Sequence, residues 1–152
     1  MERKQSDLNY LKLCLKLAKL SIKKGNHPFG AILVFKNHIV ATSENKVISL
    51  NDITAHAELL LIQQAQKILT KSEIAQSTIY TSTEPCSMCS GAIYWSGLKH
   101  VVYGVSNKHL SQIVGGSLEI SCKEIFRKGT RNIKVDGYDQ YIEFSNIHKN
   151  FW

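Results

Sequence analysis

Thr54-Ala55-His56-Ala57-Glu58 and, thirty residues after that histidine, Glu84-Pro85-Cys86-Ser87-Met88-Cys89 are the two stretches that decide how this chain reads. Imidazole and thiolate are ligands zinc prefers, so His56, Cys86 and Cys89 together predict a site for one zinc ion per chain. Three protein ligands instead of four leave a position for water, the arrangement of a catalytic centre rather than a structural staple. Glu58, two residues past the histidine, is placed to handle that water's protons without binding the metal. A purely structural site would want a fourth ligand, for which Cys14, Cys122 and the other histidines are available by composition. A chain of 152 residues with a full core has little need of such a staple.

Working outward from these stretches, Pro85 fits the first position of a helix, which puts Cys86 and Cys89 one turn apart on one face. Thr54, or Asn51-Asp52, opens the helix carrying Glu58, with Leu59, Leu60, Ile62 and Leu69 on its buried side. Thr78 to Thr81 is a strand leading into the cysteine segment. Val101 to Val105 is the strand after it, reached through a helix of suitable length for a parallel crossover. Upstream, Ala31–Phe35 and Ile39–Thr42 flank the turn Lys36-Asn37-His38 as a hairpin. A first helix runs from a Ser6 or Asp7 cap to about Lys24, where Gly25-Asn26 stops it. In that helix Leu13, Leu17 and Leu20 face inward, and Lys12, Lys16, Lys19 and Lys23 form a solvated stripe. Downstream come a short helix from Ser121 to Lys128, a last strand Ile133–Val135 and a closing helix from Asp139 to Lys149. Asn107 to Gly116 shows no decisive pattern. A hairpin followed by βαβαβ predicts an α/β fold, a three-layer α/β/α arrangement around a five-stranded mixed sheet, with residues 1–152 as a single domain.

Hydrophobic residues make up 43% of the chain and the formal net charge is +7. No stretch approaches the roughly 18 apolar residues of a membrane span. Lysines interrupt the apolar residues near the N-terminus, so no signal-peptide layout is present and a cytoplasmic setting is expected. There, a close Cys-x-x-Cys with a distant histidine signals metal more than a disulfide. Cys14 lies in an apolar helical pattern and reads as core, whereas Cys122 stays open. The positive charge admits nucleic acid as a partner, but no aromatic residues interleave with the lysine stripe to stack bases.

The order His-x-Glu…Pro-Cys-x-x-Cys is that of zinc-dependent nucleobase deaminases. From about Gly25 to Ser106 the chain resembles the cytidine and deoxycytidylate deaminase superfamily, within it the branch of guanine deaminases and tRNA adenosine deaminases. Pro28-Phe29-Gly30-Ala31, Glu44-Asn45, Asn51 to Glu58 and Glu84 to Trp95 all stand in the family's order. The resemblance implies the cytidine deaminase-like fold, a homodimer, and hydrolytic removal of an amine. Zinc-bound hydroxide would attack the amino-bearing ring carbon. Glu58 would carry the water's proton first to the ring nitrogen and then to the departing amine. By the same resemblance Asn45 would hydrogen-bond the base, Phe29 would pack near its face, and the backbone of Ala57 would read a polar edge. Trp95 would either wall a purine pocket or pack in the core. Glu84 is expected to be a buried orienting carboxylate.

For the substrate, Phe29 and Ala92-Ile93-Tyr94-Trp95 resemble guanine deaminases more than tRNA deaminases. A small-molecule purine base or nucleoside, guanine or guanosine-like, is therefore the leading expectation. The end Asn150-Phe151-Trp152 lacks a basic tail; its aromatics would either close over a pocket or anchor the last helix. Guanine deaminases of this type use a further acid from the C-terminal third, for which Glu119, Glu124, Asp136, Asp139 and Glu143 are available. tRNA adenosine deamination is the alternative. A zinc-stabilised nucleic-acid-binding or interaction protein without turnover is the third reading.

Overall fold

A computed structural model describes residues 2–152. The hairpin pairs β1 (Gly30–Phe35) with β2 (His38–Glu44) through a two-residue turn. Lys36 and Asn37 both take positive φ, 48° and 64°, which suits the right-handed twist of the flanking strands. His38 is not part of the turn, because it already pairs with Phe35. β3 (Thr78–Thr83) adds antiparallel to β1; β4 (His100–Val105) and β5 (Lys134–Gly137) then add in parallel. The result is a five-stranded mixed sheet of order β2-β1-β3-β4-β5.

Strand residues alternate between two cores, as a period of two requires. On one face Ala31, Leu33, Ile79 and Val101 meet α3 (Ala57–Ile68), α5 (Ser87–Ser96) and α7 (Cys122–Arg127). On the other, Ile32, Val34, Tyr80 and Val102 meet α1 (Glu2–Lys23) and α8 (Ile142–Phe151). The three layers expected from the sequence are present. Among the described residues no helix is long and apolar enough to cross a membrane.

Several local expectations need correction. α1 starts at Glu2, so Asp7 is not its cap. Asp7 is 3% exposed and accepts hydrogen bonds from the hydroxyls of Tyr80 and Tyr138, 2.7 Å each, tying α1 to β3 and to the segment after β5. The buried stripe of α1 is Leu11, Cys14, Leu15, Ala18 and Ser21, while Leu13 and Leu17 are half-buried and Leu20 is exposed. Small residues take the contact line because the backbone of β1 comes close: a Cβ at Gly30 would stand 2.6 Å from Leu17 Cβ and 2.7 Å from Ala18 N. The four stripe lysines are all exposed, as expected.

α3 begins at Ala57, later than Thr54, because the preceding residues form their own turns. Short α2 (Val47–Leu50) ends at Asn51 in the left-handed region, and the Asp52 carboxylate then takes both the N–H and the hydroxyl of Thr54. The buried side of α3 is Ala57, Leu61, Ile62 and Ala65 around Glu58, with Leu59, Leu60 and Leu69 only half-buried. Thr70 and Glu73 form a capping box that opens α4 (Lys71–Gln76), and Ser121 and Glu124 do the same for α7. The undecided segment is α6 (Asn107–Val114), capped by Ser106. α8 starts at Ile142 rather than Asp139 because Asp139 binds the N–H and hydroxyl of Ser106 and the His109 ring.

Candidate active site

Two helix starts meet near the ends of β3 and β4. Glu84, the residue after β3, donates its N–H to Val105 O at the end of β4. Cys86 is the residue capping α5 and His56 the one capping α3, and neither side chain makes the capping hydrogen bond of its helix. Pro85 therefore lies outside the helix, and Cys89 enters its first turn while Cys86 precedes it. The helices leave His56 Nδ1 3.6 Å from Cys86 Sγ and 3.5 Å from Cys89 Sγ. A tetrahedral zinc with sulfur at about 2.3 Å and nitrogen at about 2.0–2.1 Å sets those two atoms about 3.5–3.6 Å apart. All three ligand atoms lie within 4.8 Å of one another, so donor set and spacing both fit the ion. Cys14 and Cys122 are not in the group. Cys14 donates to Tyr80 O in the core, and Cys122 is buried at the start of α7.

The electrostatics favour metal binding. Hydrogen bonding from Cys89 and His56 outweighs burial and holds the Cys86 thiol at about 4, so it ionises readily. Its hydrogen bond to Cys86, together with burial, pushes the Cys89 thiol up instead. Two helix N-termini add partial positive charge beside both sulfurs. Glu58 is buried, and loss of solvent, reinforced by the charge of Cys86, pushes its carboxyl up to about 7. A carboxyl in that range both accepts and returns a proton near neutral pH.

Asn45 is fully buried after β2. Its Oδ1 accepts the Val47 N–H at 3.1 Å and its backbone N–H binds Phe29 O at 3.0 Å. Among the described residues nothing accepts from its side-chain NH₂. Ala57, buried at the first helical position of α3, has one of the N–H groups that an α-helix leaves unpaired. Phe29 is half-buried, its ring 5.4 Å from that of His148. Trp95 is 76% exposed beside Tyr94 and Arg131, so it is not the core residue that one reading expected.

Glu84 is the buried orienting carboxylate expected, and its partners are two more helix starts. One oxygen accepts the Asn107 N–H at 2.8 Å and the other the Cys122 N–H at 2.9 Å. The Asn107 side chain in turn donates to Pro85 O and Ile120 O. Of the five acids of the last third, Asp136 binds His100 and Lys134 at the far end of β4, Glu124 serves its capping box, and Glu143 faces Lys12. Asp139 binds Ser106 at the site's end of the sheet, and exposed Glu119 is next to Ile120 in the loop that Asn107 secures.

Residues outside the motifs also gather here. Burial and then the charge of His56 lower the His27 pKa. The rings of Trp152 and Phe151 pack on His27 at 5.5 and 6.3 Å, and His148 binds both Thr83 and Trp152. No sequence spacing could have marked His148, because Thr83 lies 65 residues away.

Residues 4–105 match the family described as the cytidine and deoxycytidylate deaminase zinc-binding region. A Schizosaccharomyces pombe protein named "Probable cytosine deaminase" is 37% identical, covering 99% of this chain and 95% of its own. A tRNA-specific adenosine deaminase of Buchnera aphidicola is 39% identical, covering 96% and 93%. The solved structure of guanine deaminase from Bacillus subtilis, 31% identical, superimposes with a TM-score of 0.64 over 95% of this chain and 94% of that one. The relatives thus agree on deamination while differing in substrate. With its His-Cys-Cys ligand set and buried glutamate, the chain belongs to the cytidine and deoxycytidylate deaminase family.

Proposed function

We propose that the protein is a zinc-dependent hydrolase of the cytoplasm that deaminates a free nucleobase, a guanine-like purine foremost. The observation that carries the free-base reading is the packing of Phe151 and Trp152 on His27, whose pKa responds to the charge of His56. In this reading the aromatic rings gathered on His27 form a wall for a small planar substrate, which a folded RNA loop would not need. His56, Cys86 and Cys89 hold the zinc, which when bound supplies an activated water at neutral pH.

The chain's own groups do the rest. Attack on an amino-bearing ring carbon puts negative charge on the neighbouring ring nitrogen, which must gain a proton. The amine leaves only after it too is protonated. Glu58 takes the water's proton and delivers it to the ring nitrogen, then moves the proton of the newly attached hydroxyl to the amine, so that ammonia departs as the ring carbonyl forms. The Asn45 NH₂ and the Ala57 N–H are donors for acceptors on the ring edge. Phe29 packs on its face. Glu119 and Asp139 are the acids available to recognise a purine's own donors. Trp95 and a homodimer belong to the same reading: a ring this exposed would wall a pocket only as part of an assembly.

The alternative, adenosine deamination in tRNA, is favoured by the Buchnera relative and by the net charge of +7. Ammonia release from guanine, guanosine, adenosine, cytosine and an anticodon stem-loop separates the readings. Turnover of guanine is expected. Turnover of the stem-loop alone would overturn the free-base reading, and turnover of cytosine alone would overturn the purine.

A further inference from the structure

Both ring nitrogens of His148 are engaged although the residue is 0% exposed. The Trp152 indole Nε1 lies 3.3 Å from His148 Nδ1, and Thr83 Oγ1 lies 2.7 Å from Nε2. An indole N–H can only donate, so Nδ1 is the acceptor. The proton of the neutral ring then sits on Nε2, and the Thr83 hydroxyl oxygen accepts it. The same imidazole packs against Phe29 at 5.4 Å, while Trp152 packs against His27 at 5.5 Å. His27 and Phe29 are themselves joined by a turn, with the Phe29 N–H on His27 O. One buried ring thus connects the end of β3, α8 and the His27–Phe29 turn.

The titratable groups facing this ring are His109 of α6 and, across Trp152, His27; no carboxylate is hydrogen-bonded to it among the described residues. Burial, with the charge of His109 second, keeps the His148 pKa at about 4, so the ring stays neutral near pH 7.

We infer that His148 is a positioning residue of the base pocket: as the Nε2–H tautomer it ties Thr83 to Trp152 and sets where the Phe29 and Trp152 rings stand around the substrate. The inference rests on the free-base reading above. It assigns His148 no proton transfer; the residue acts on binding through the two aromatic rings.

The test uses the zinc-loaded protein with His148→Phe, His148→Gln and Trp152→Phe, and the double variant His148→Phe/Trp152→Phe. Two readouts need no substrate: nitrogen NMR of the His148 ring and exchange protection of the Trp152 indole N–H. The wild type is expected to show the Nε2–H tautomer and a protected indole, with protection lost in His148→Phe. For the base turned over fastest, His148→Phe is expected to raise KM about five- to tenfold, the worth of one neutral hydrogen bond, with kcat nearly unchanged. Trp152→Phe keeps a ring and loses the N–H; it should raise KM equally, with the double variant no worse. His148→Gln, which keeps one donor and one acceptor, should recover most of the affinity.

An unprotected indole in the wild type, multiplying effects in the double variant, or a loss confined to kcat would overturn the assignment. If His148→Phe fails to fold, Trp152→Phe decides, since its side chain is half exposed and an unchanged KM there refutes the tie. If no free base is turned over, the substrate reading fails, and the two NMR signals still decide the hydrogen bond by themselves.

Discussion

In the proposed mechanism two requirements converge on Glu58, whose carboxyl must sit out of water to hold a proton near neutrality and still reach the reacting water. Burial in the first turn of α3 provides the first, and its position two residues after a metal ligand provides the second. Glu58→Ala should retain zinc, measured by atomic absorption, and lose roughly 10²- to 10⁴-fold in ammonia release. Loss of zinc together with activity would make the residue structural instead. Cys89→Ser should behave in the opposite way, failing to retain stoichiometric zinc at all. These residues were legible in the sequence because ligand chemistry restricts residue type and a helix start fixes their spacing locally. Asn107, Thr83 and His148 were not, since each acts through partners distant in the chain that only the folded sheet brings near.

Helix starts decide how the elements hold together. One carboxylate, Glu84, receives N–H groups from the starts of both α6 and α7, fixing both against the cysteine segment. Glu84→Gln removes the charge and turns an amide NH₂ toward one of two buried donors. A loss of about 2–3 kcal/mol is expected in urea unfolding. Asp7 plays a comparable part in the opposite layer, and Asp7→Ala strands two buried tyrosine hydroxyls, with about 2–4 kcal/mol expected by the same measurement. The capping boxes at Ser121–Glu124 and Thr70–Glu73 are local, donor and acceptor three residues apart. The sequence pattern nevertheless reads only as a helix from Ser121 to Lys128, with none over Lys71–Gln76, and the same reading errs at the first helix. It misplaces Asp7 because an acid near a helix start looks the same whether it caps that helix or reaches across to Tyr80 and Tyr138. Likewise α1 carries leucines on three sides, and only the close approach of β1 chooses the narrow face of Cys14 and Ala18.

Across the whole molecule, the five-stranded mixed sheet and its layering were legible from the period-two strands and the hairpin, whereas the strand order came only with the fold and the ends of α3, α5 and α8 were displaced by side chains recruited to other tasks. Stability should carry a pH signature from His148. In the unfolded chain its pKa is near the ordinary 6.5, and in the fold it is held at about 4. Above pH 6.5 neither state takes up the proton and this contribution is complete. Between 6.5 and 4 only the unfolded chain protonates, so about 3 kcal/mol is lost across that window, and below 4 the dependence flattens. Urea unfolding at pH 7, 5.5 and 4.5 should show this slope in the wild type and a shallower one in His148→Gln.

With Phe29 in its proposed role beside the base, Gly30 gives the architecture a consequence for substrate choice. Its backbone is pressed against Leu17 and Ala18 of α1, on the side of the sheet opposite the metal ligands, and its neighbour in the chain is Phe29. A single methyl group at position 30 must push α1 and β1 apart, and the displacement passes directly to the aromatic ring beside it. Selection for new base preferences should therefore recover changes at Ala18 and Leu17 as well as in the pocket: a helix that touches no substrate tunes the enzyme from behind.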